Sequence, residues 1–163
     1  MIPDKSKAHP WVAGLEPLAL EAKQEFGELT VVIDTPHIVE ALQRVQAQGF
    51  NRLSAVTAVD WFPREPRYEV VYHLHHLPLT PGERHERLRL KCRVSGAEPV
   101  IDSATGVYPG ANWYEREVFD LFGIEFRGHP DLTRILLPDY WEGHPLRKDY
   151  PIDGYQYSYA KEH

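Results

Sequence analysis

A single cysteine, Cys92, stands among 163 residues, and that scarcity closes off several chemistries. An intramolecular disulfide needs a second thiol, so none can form. A thiolate-held iron–sulfur cluster needs about four cysteines, so the chain cannot hold one alone. No apolar run approaches the roughly 18 residues that span a bilayer. The first eleven residues carry Asp4, Lys5, Lys7 and two prolines, without the apolar core of a secretion signal, so a cytosolic-type chain is expected. Positive charge is also short. A net charge of −6 argues against nucleic acid as the main partner, because phosphate backbones select basic surfaces. GxGxxG, P-loop, HExxH, paired CxxC and GxSxG patterns are all missing, so dinucleotides, nucleotide phosphates, zinc and serine-hydrolase chemistry lack their usual sequence cradles.

What remains is globular in character. Hydrophobic residues make up 42% and charged residues 26%, and the length suits one domain with its own core. Leu15, Leu18, Ala19, Ala22 and Phe26 recur at helical spacing, which predicts a helix entered at Pro17 and stopped by Gly27. Leu29 to Ile33 reads as a buried strand. Thr35 is expected to cap a second helix, with Pro36 in its first turn, Ile38, Val39, Leu42 and Val45 on its buried face, and Gly49 at its end.

Three strands are predicted next, at Leu53–Trp61, Tyr68–Leu77 and Glu86–Val94, with connections short enough for antiparallel pairing. In the last, Leu88, Leu90, Cys92 and Val94 alternate with Arg87, Arg89, Lys91 and Arg93, so one face meets a core. A helical region is expected from Asp102 or Ser103, broken at Pro109-Gly110, resuming from Ala111 to Phe122 and ending at Gly123. Beyond it, Pro130, Pro138, Pro145 and Pro151 leave no room for a helix. The expected fold is α+β, a two-layer sandwich of helices on a mixed, mostly antiparallel sheet. Residues 1–123 form the α+β domain and residues 124–163 an extended docking arm of the same domain.

That arm carries Tyr140, Trp141, Tyr150, Tyr155, Tyr157, Tyr159, Leu132, Ile135, Leu136, Leu137, Leu146 and Ile152. So apolar an irregular segment has to pack on its own domain or on another chain, and the mixture of aromatics with arginine favours a partner. Arg147 is expected to be one such anchor. On the preceding helix, Arg116 and Asp120 are i,i+4 neighbours and are expected to pair. Glu117 and Asp120 stand three apart, as an acid–base pair would, but a salt-bridged surface is the simpler reading. His73 and His75 share a strand face and Cys92 lies on the next strand, although its apolar register suits a buried thiol better than a metal ligand. The basic stripe of Arg87, Arg89, Lys91 and Arg93 reads as a solvated face.

The run Glu115-Arg116-Glu117-Val118-Phe119-Asp120-Leu121-Phe122-Gly123-Ile124, followed by Gly128-His129-Pro130-Asp131-Leu132, closely resembles the signature of the respiratory complex I 30 kDa subunit family. The resemblance continues through Arg134-Ile135-Leu136 and Glu142-Gly143-His144-Pro145-Leu146-Arg147-Lys148-Asp149-Tyr150-Pro151. Thr133 departs from the family's usual Lys, Arg or Pro.

The resemblance implies a cofactor-free subunit of the peripheral arm of a proton-pumping NADH:quinone oxidoreductase, on the cytoplasmic side of the bacterial inner membrane. It would stand beside the 49 kDa-type chain and that chain's cluster-bearing neighbour, and would touch the membrane only through the complex. FMN and iron–sulfur clusters would belong to the complex, with no catalytic, cofactor or metal ligand in this chain. The motif positions then read as interface residues: Glu115, Arg116, Glu117, Asp120, Phe122 and Gly123 on the helix, and Gly128, His129, Pro130, Asp131, Arg134, Gly143, His144, Pro145, Arg147, Lys148, Asp149 and Tyr150 on the arm. The alternatives are the equivalent subunit of a ferredoxin-linked complex or membrane-bound hydrogenase, and, from another class, a stand-alone acid–base or metal hydrolase built on Glu117, Asp120 and a histidine.

Overall fold

A computed structural model of the chain describes residues 14–82 and 84–154. Tyr155, Tyr157 and Tyr159 of the arm and the first eleven residues lie outside the described residues. The first element corrects the sequence reading: residues expected to form a helix are a strand, β1 (Ala19–Glu25), paired antiparallel with β2 (Glu28–Ile33). Leu15 and Leu18 are buried in the turn before it, and Ala22 is the one buried residue within it. Their three- and four-residue spacing imitates a helical face, yet β2 is a strong strand whose backbone needs a partner. The link is the two-residue turn Phe26-Gly27, with φ of 51° and 79°. Positive φ at both positions is what a tight hairpin of matching twist requires.

Thr35–His37 make one 3₁₀ turn, leading into α1 (Ile38–Ala47), which buries Ile38, Ala41, Leu42 and Val45. Thr35 does not cap it: its hydroxyl donates to the Arg93 carbonyl at 2.8 Å, tying the turn to the sheet instead. Gly49, at φ 98°, ends the helix as expected. Then come β3 (Arg52–Asp60), β4 (Tyr68–His76) and β5 (Glu86–Val94). The sheet order is β1-β2-β5-β4-β3, antiparallel except for the parallel β2–β5 pair. Leu88, Leu90, Cys92 and Val94 enter the core from β5, beside Val70, Tyr72 and Leu74 of β4.

The start of the second helical region is also corrected. Val100–Asp102 is a short strand, β6, that pairs parallel with β7 (Glu125–Arg127), and the helix between them is α2, Ala111–Phe122. α2 packs against β3 and buries Ala111, Glu115, Val118, Asp120 and Phe122. Gly123 closes it in the left-handed region, at φ 71°. The architecture is α+β, with helices against one face of a mixed sheet. β6 and β7 are not legible in the sequence because three residues are too few for an alternation to register.

Candidate functional site

The last turn of an α-helix leaves backbone carbonyls without partners, and here the arm supplies them. His144 Nδ1 donates to the Asp120 carbonyl at 2.8 Å, Leu146 N–H to Leu121 at 3.1 Å, and Arg147 Nε to Phe122 at 2.6 Å. Gly123 is fixed twice over: its φ excludes most side chains, and a Cβ there would collide with the Arg147 guanidinium and the His144 ring.

Beneath this cap lies Asp120, fully buried. Its Oδ1 accepts from Arg134 Nη1 at 2.6 Å, while Oδ2 accepts the N–H groups of Ile135, Leu136 and Leu137 at 3.0, 2.8 and 2.9 Å. Burial alone would raise the Asp120 pKa, but the Leu137 N–H, the Arg134 guanidinium and the other two N–H groups outweigh it and hold the carboxyl below its usual range. Arg134 Nη2 donates to the Trp141 and Gly143 carbonyls. One carboxylate and one guanidinium thus fold the segment from Arg134 to Gly143 back onto the helix.

The expected Arg116–Asp120 pair is not made. Arg116 instead donates to the Thr133 and Arg134 carbonyls at 3.1 and 2.9 Å and lies over the Trp113 ring. Glu117 is exposed, so it and the saturated Asp120 do not form a facing acid–base pair. Glu115 is fully buried and accepts from Ser103 Oγ and Ala104 N–H, both at 2.6 Å. Burial outweighs those bonds and pushes its pKa up to about 7. His129 accepts the Asp131 N–H at Nδ1, so its Nε2 carries the proton donated to the Asn112 carbonyl.

At its far end the arm is pinned to the β3–β4 connection. Arg67 grips Asp60 and Asp149 bidentately: Nε and Nη2 reach Asp60 at 2.9 and 2.8 Å, and Nη1 and Nη2 reach Asp149 at 2.9 and 2.6 Å. Lys148 and Phe62 donate backbone N–H groups to Asp60. Burial opposes ionisation of Asp60, yet Arg67 and the two N–H groups prevail and bring its pKa to about 2. Arg147 lies 5.7 Å from the Tyr68 ring centre and Lys148 lies 5.9 Å from that of Trp61. Sequence reasoning misses Asp60 and Arg67, and no local signal marks them, because their arm partners lie 80 or more residues away.

Arg134, His144, Arg147 and Asp149 of the arm motif therefore bond back onto the chain, whereas Asp131, Glu142 and Lys148 are exposed. Three of its apolar side chains turn outward, Leu136 at 60% exposure, Tyr140 at 78% and Leu146 at 51%, while Leu132 packs against the core. Elsewhere the sheet places His73 and His75 opposite Arg89 and Arg87, whereas Cys92 pairs with Val70 and points into the core. Those histidines and the thiol thus lie on opposite faces, and the metal cluster they suggested is not assembled. The basic stripe is internally paired, Arg87 and Arg89 with Glu28, Lys91 with Glu69 and Arg93 with Glu21. Among the described residues no helix is long and apolar enough to cross a membrane.

Residues 31–156 match the family described as respiratory-chain NADH dehydrogenase, 30 Kd subunit. The C-type subunit of the NADH-quinone oxidoreductase of Trichlorobacter lovleyi is 49% identical over 137 residues, covering 83% of this chain and 82% of that protein. Its counterpart in Citrifermentans bemidjiense is 44% identical over 136 residues, covering 83% and 81%. Among solved structures, a trypsin-resistant fragment of Nqo5 superposes with a TM-score of 0.63 at 35% identity, covering 68% of this chain and 88% of that one. A chain of an archaeal membrane-bound sulfane sulfur reductase superposes with a TM-score of 0.75 at 28% identity, covering 93% and 86%. The dense motif, the α+β fold and the arm clamped on α2 thus stand in one chain, and it belongs to the 30 kDa subunit family of the respiratory-chain NADH dehydrogenase.

Proposed function

We propose that the chain is a non-catalytic structural subunit of the peripheral arm of NADH:quinone oxidoreductase, on the cytoplasmic side of the membrane. It holds cluster-bearing neighbours in place while electrons pass from NADH through FMN and iron–sulfur clusters to quinone. Its partners are the 49 kDa-type chain and that chain's cluster-bearing neighbour. The observation carrying this reading is the clamped arm: Arg134, Arg147 and Asp149 are engaged within the chain, and Leu136, Tyr140 and Leu146 are left outward on a pinned backbone. A preorganised apolar strip binds a partner without first losing backbone entropy, which is what a permanent scaffold contact needs. The polar motif residues Arg134, His144 and Arg147 support docking by shaping the arm, and Leu136 and Leu146 of the same motif face the partner.

The test is the pair Leu136→Asp and Tyr140→Asp. Each isolated chain is expected to melt like the wild type, while the complex recovered with it falls severalfold. Normal recovery with both variants contradicts the reading. The likeness to the archaeal reductase chain favours one second reading, the same scaffold role in a related membrane complex. Mass spectrometry of copurifying chains decides it, because only the NADH-type complex brings an NADH-oxidising flavoprotein.

A further inference from the structure

The hairpin between β1 and β2 carries a residue that nothing in the chain explains. Phe26 is the one non-glycine residue with positive φ among the described residues, at 51°. That region suits glycine, asparagine and aspartate, and a bulky side chain there is a true outlier. Its side chain gains nothing in return, because Phe26 is 102% exposed. A turn that needs two positive φ values is served best by Asn-Gly, and Phe26-Gly27 stands in its place.

The charges beside the tip are already matched. Lys23 pairs with Glu25 on β1, and Glu28 at the start of β2 pairs with Arg87 and Arg89 at 2.8 and 3.0 Å. A tip that inserts into an anionic membrane surface needs spare cations, and these are spent. A neutralised collar around one aromatic knob is instead complementary to an uncharged, apolar recess in a protein, where a buried aromatic is a typical binding hot spot. We infer that Phe26 is a knob for an apolar socket on a neighbouring subunit, a second contact remote in sequence from the arm. The inference rests on the proposed scaffold role.

Phe26→Asn separates the knob from a structural role, because asparagine suits the backbone and abolishes the apolar contact. The isolated full chain carrying it is expected to melt at the wild-type temperature or about 1–3 °C above it. In the purified complex, the variant chain is expected to be lost on dilution about tenfold faster than wild type, measured by native gel. Phe26→Leu, which keeps apolar bulk, should fall between them. A drop of several degrees in the isolated Asn variant makes Phe26 an intrachain anchor and overturns the inference. So does wild-type retention of the Asn variant in the complex. A wild-type chain found in no complex at all is a different result and refutes the scaffold role itself.

Discussion

Asp120 and Arg134 meet at 2.6 Å in the last turn of α2, with the carboxylate sealed from solvent and three backbone N–H groups closing its other oxygen. A buried ion pair of this kind is most costly when one member is removed. Asp120→Ala leaves a guanidinium and three N–H groups unpaired, and is expected to destabilise the isolated chain by about 3–5 kcal/mol. The double replacement of Asp120 by Ala and Arg134 by Met should be milder than Asp120→Ala alone. Thermal melts of the three chains check this, and equal losses from single and double variants argue against the pair.

The motif's pattern points Arg147 at a partner, but the side chain closes the α2 carbonyls and lies over Tyr68. Arg147→Glu should therefore destabilise the chain on its own, by about 2 kcal/mol or more, since it sets a carboxylate against the negative end of a helix. A melt of the isolated variant at the wild-type temperature would return Arg147 to the surface role.

Arg67→Lys should behave as a large change. An ammonium cannot reproduce two bidentate grips, so Asp60 and Asp149 lose their common partner. The arm from Arg147 to Tyr150 is expected to become a site of limited proteolysis in this variant, whereas wild type resists cleavage there.

Stability should bend with pH in two opposite ways. Asp60 titrates near 2 in the fold against 3.8 ordinarily, and Asp120 is lowered too. Their contribution is fully present above the unfolded value and is lost as pH falls through the folded one. Glu115 runs the other way: the unfolded carboxyl ionises near 4.5, while the folded one stays protonated up to about 7. Stability should thus decline by roughly 3 kcal/mol as pH rises from about 4.5 to 7 through this group. Glu115→Gln is expected to flatten that limb and leave the acid limb unchanged, as denaturant melts across pH will show.

The parts legible in the sequence are those with a local period. The alternation of Leu88, Leu90, Cys92 and Val94 defines β5 to the residue, and Ala111 to Phe122 with its glycine stop defines α2. The strand from Ala19 is not legible, because an edge strand with one buried residue has no alternation to read. Within the site, the motif residues stand out in the sequence, but the bonds that Arg134 and Arg147 make back onto α2 do not. Whether Arg134 or Arg147 turns in or out depends on carbonyls freed at the end of α2 and on Asp60 and Arg67 far along the chain, and no spacing records that.

Turnover per mole of assembled complex, measured with Glu117→Gln and Glu115→Gln in this subunit, tests the central claim most directly. A general acid or base at either position should lower the rate by about 10²–10⁴-fold once replaced. The scaffold account predicts that each assembled complex oxidises NADH with quinone at the wild-type rate, with any loss confined to the amount of complex formed. A fully assembled Glu117→Gln or Glu115→Gln complex slowed a hundredfold or more would contradict it and bring this subunit into the chemistry.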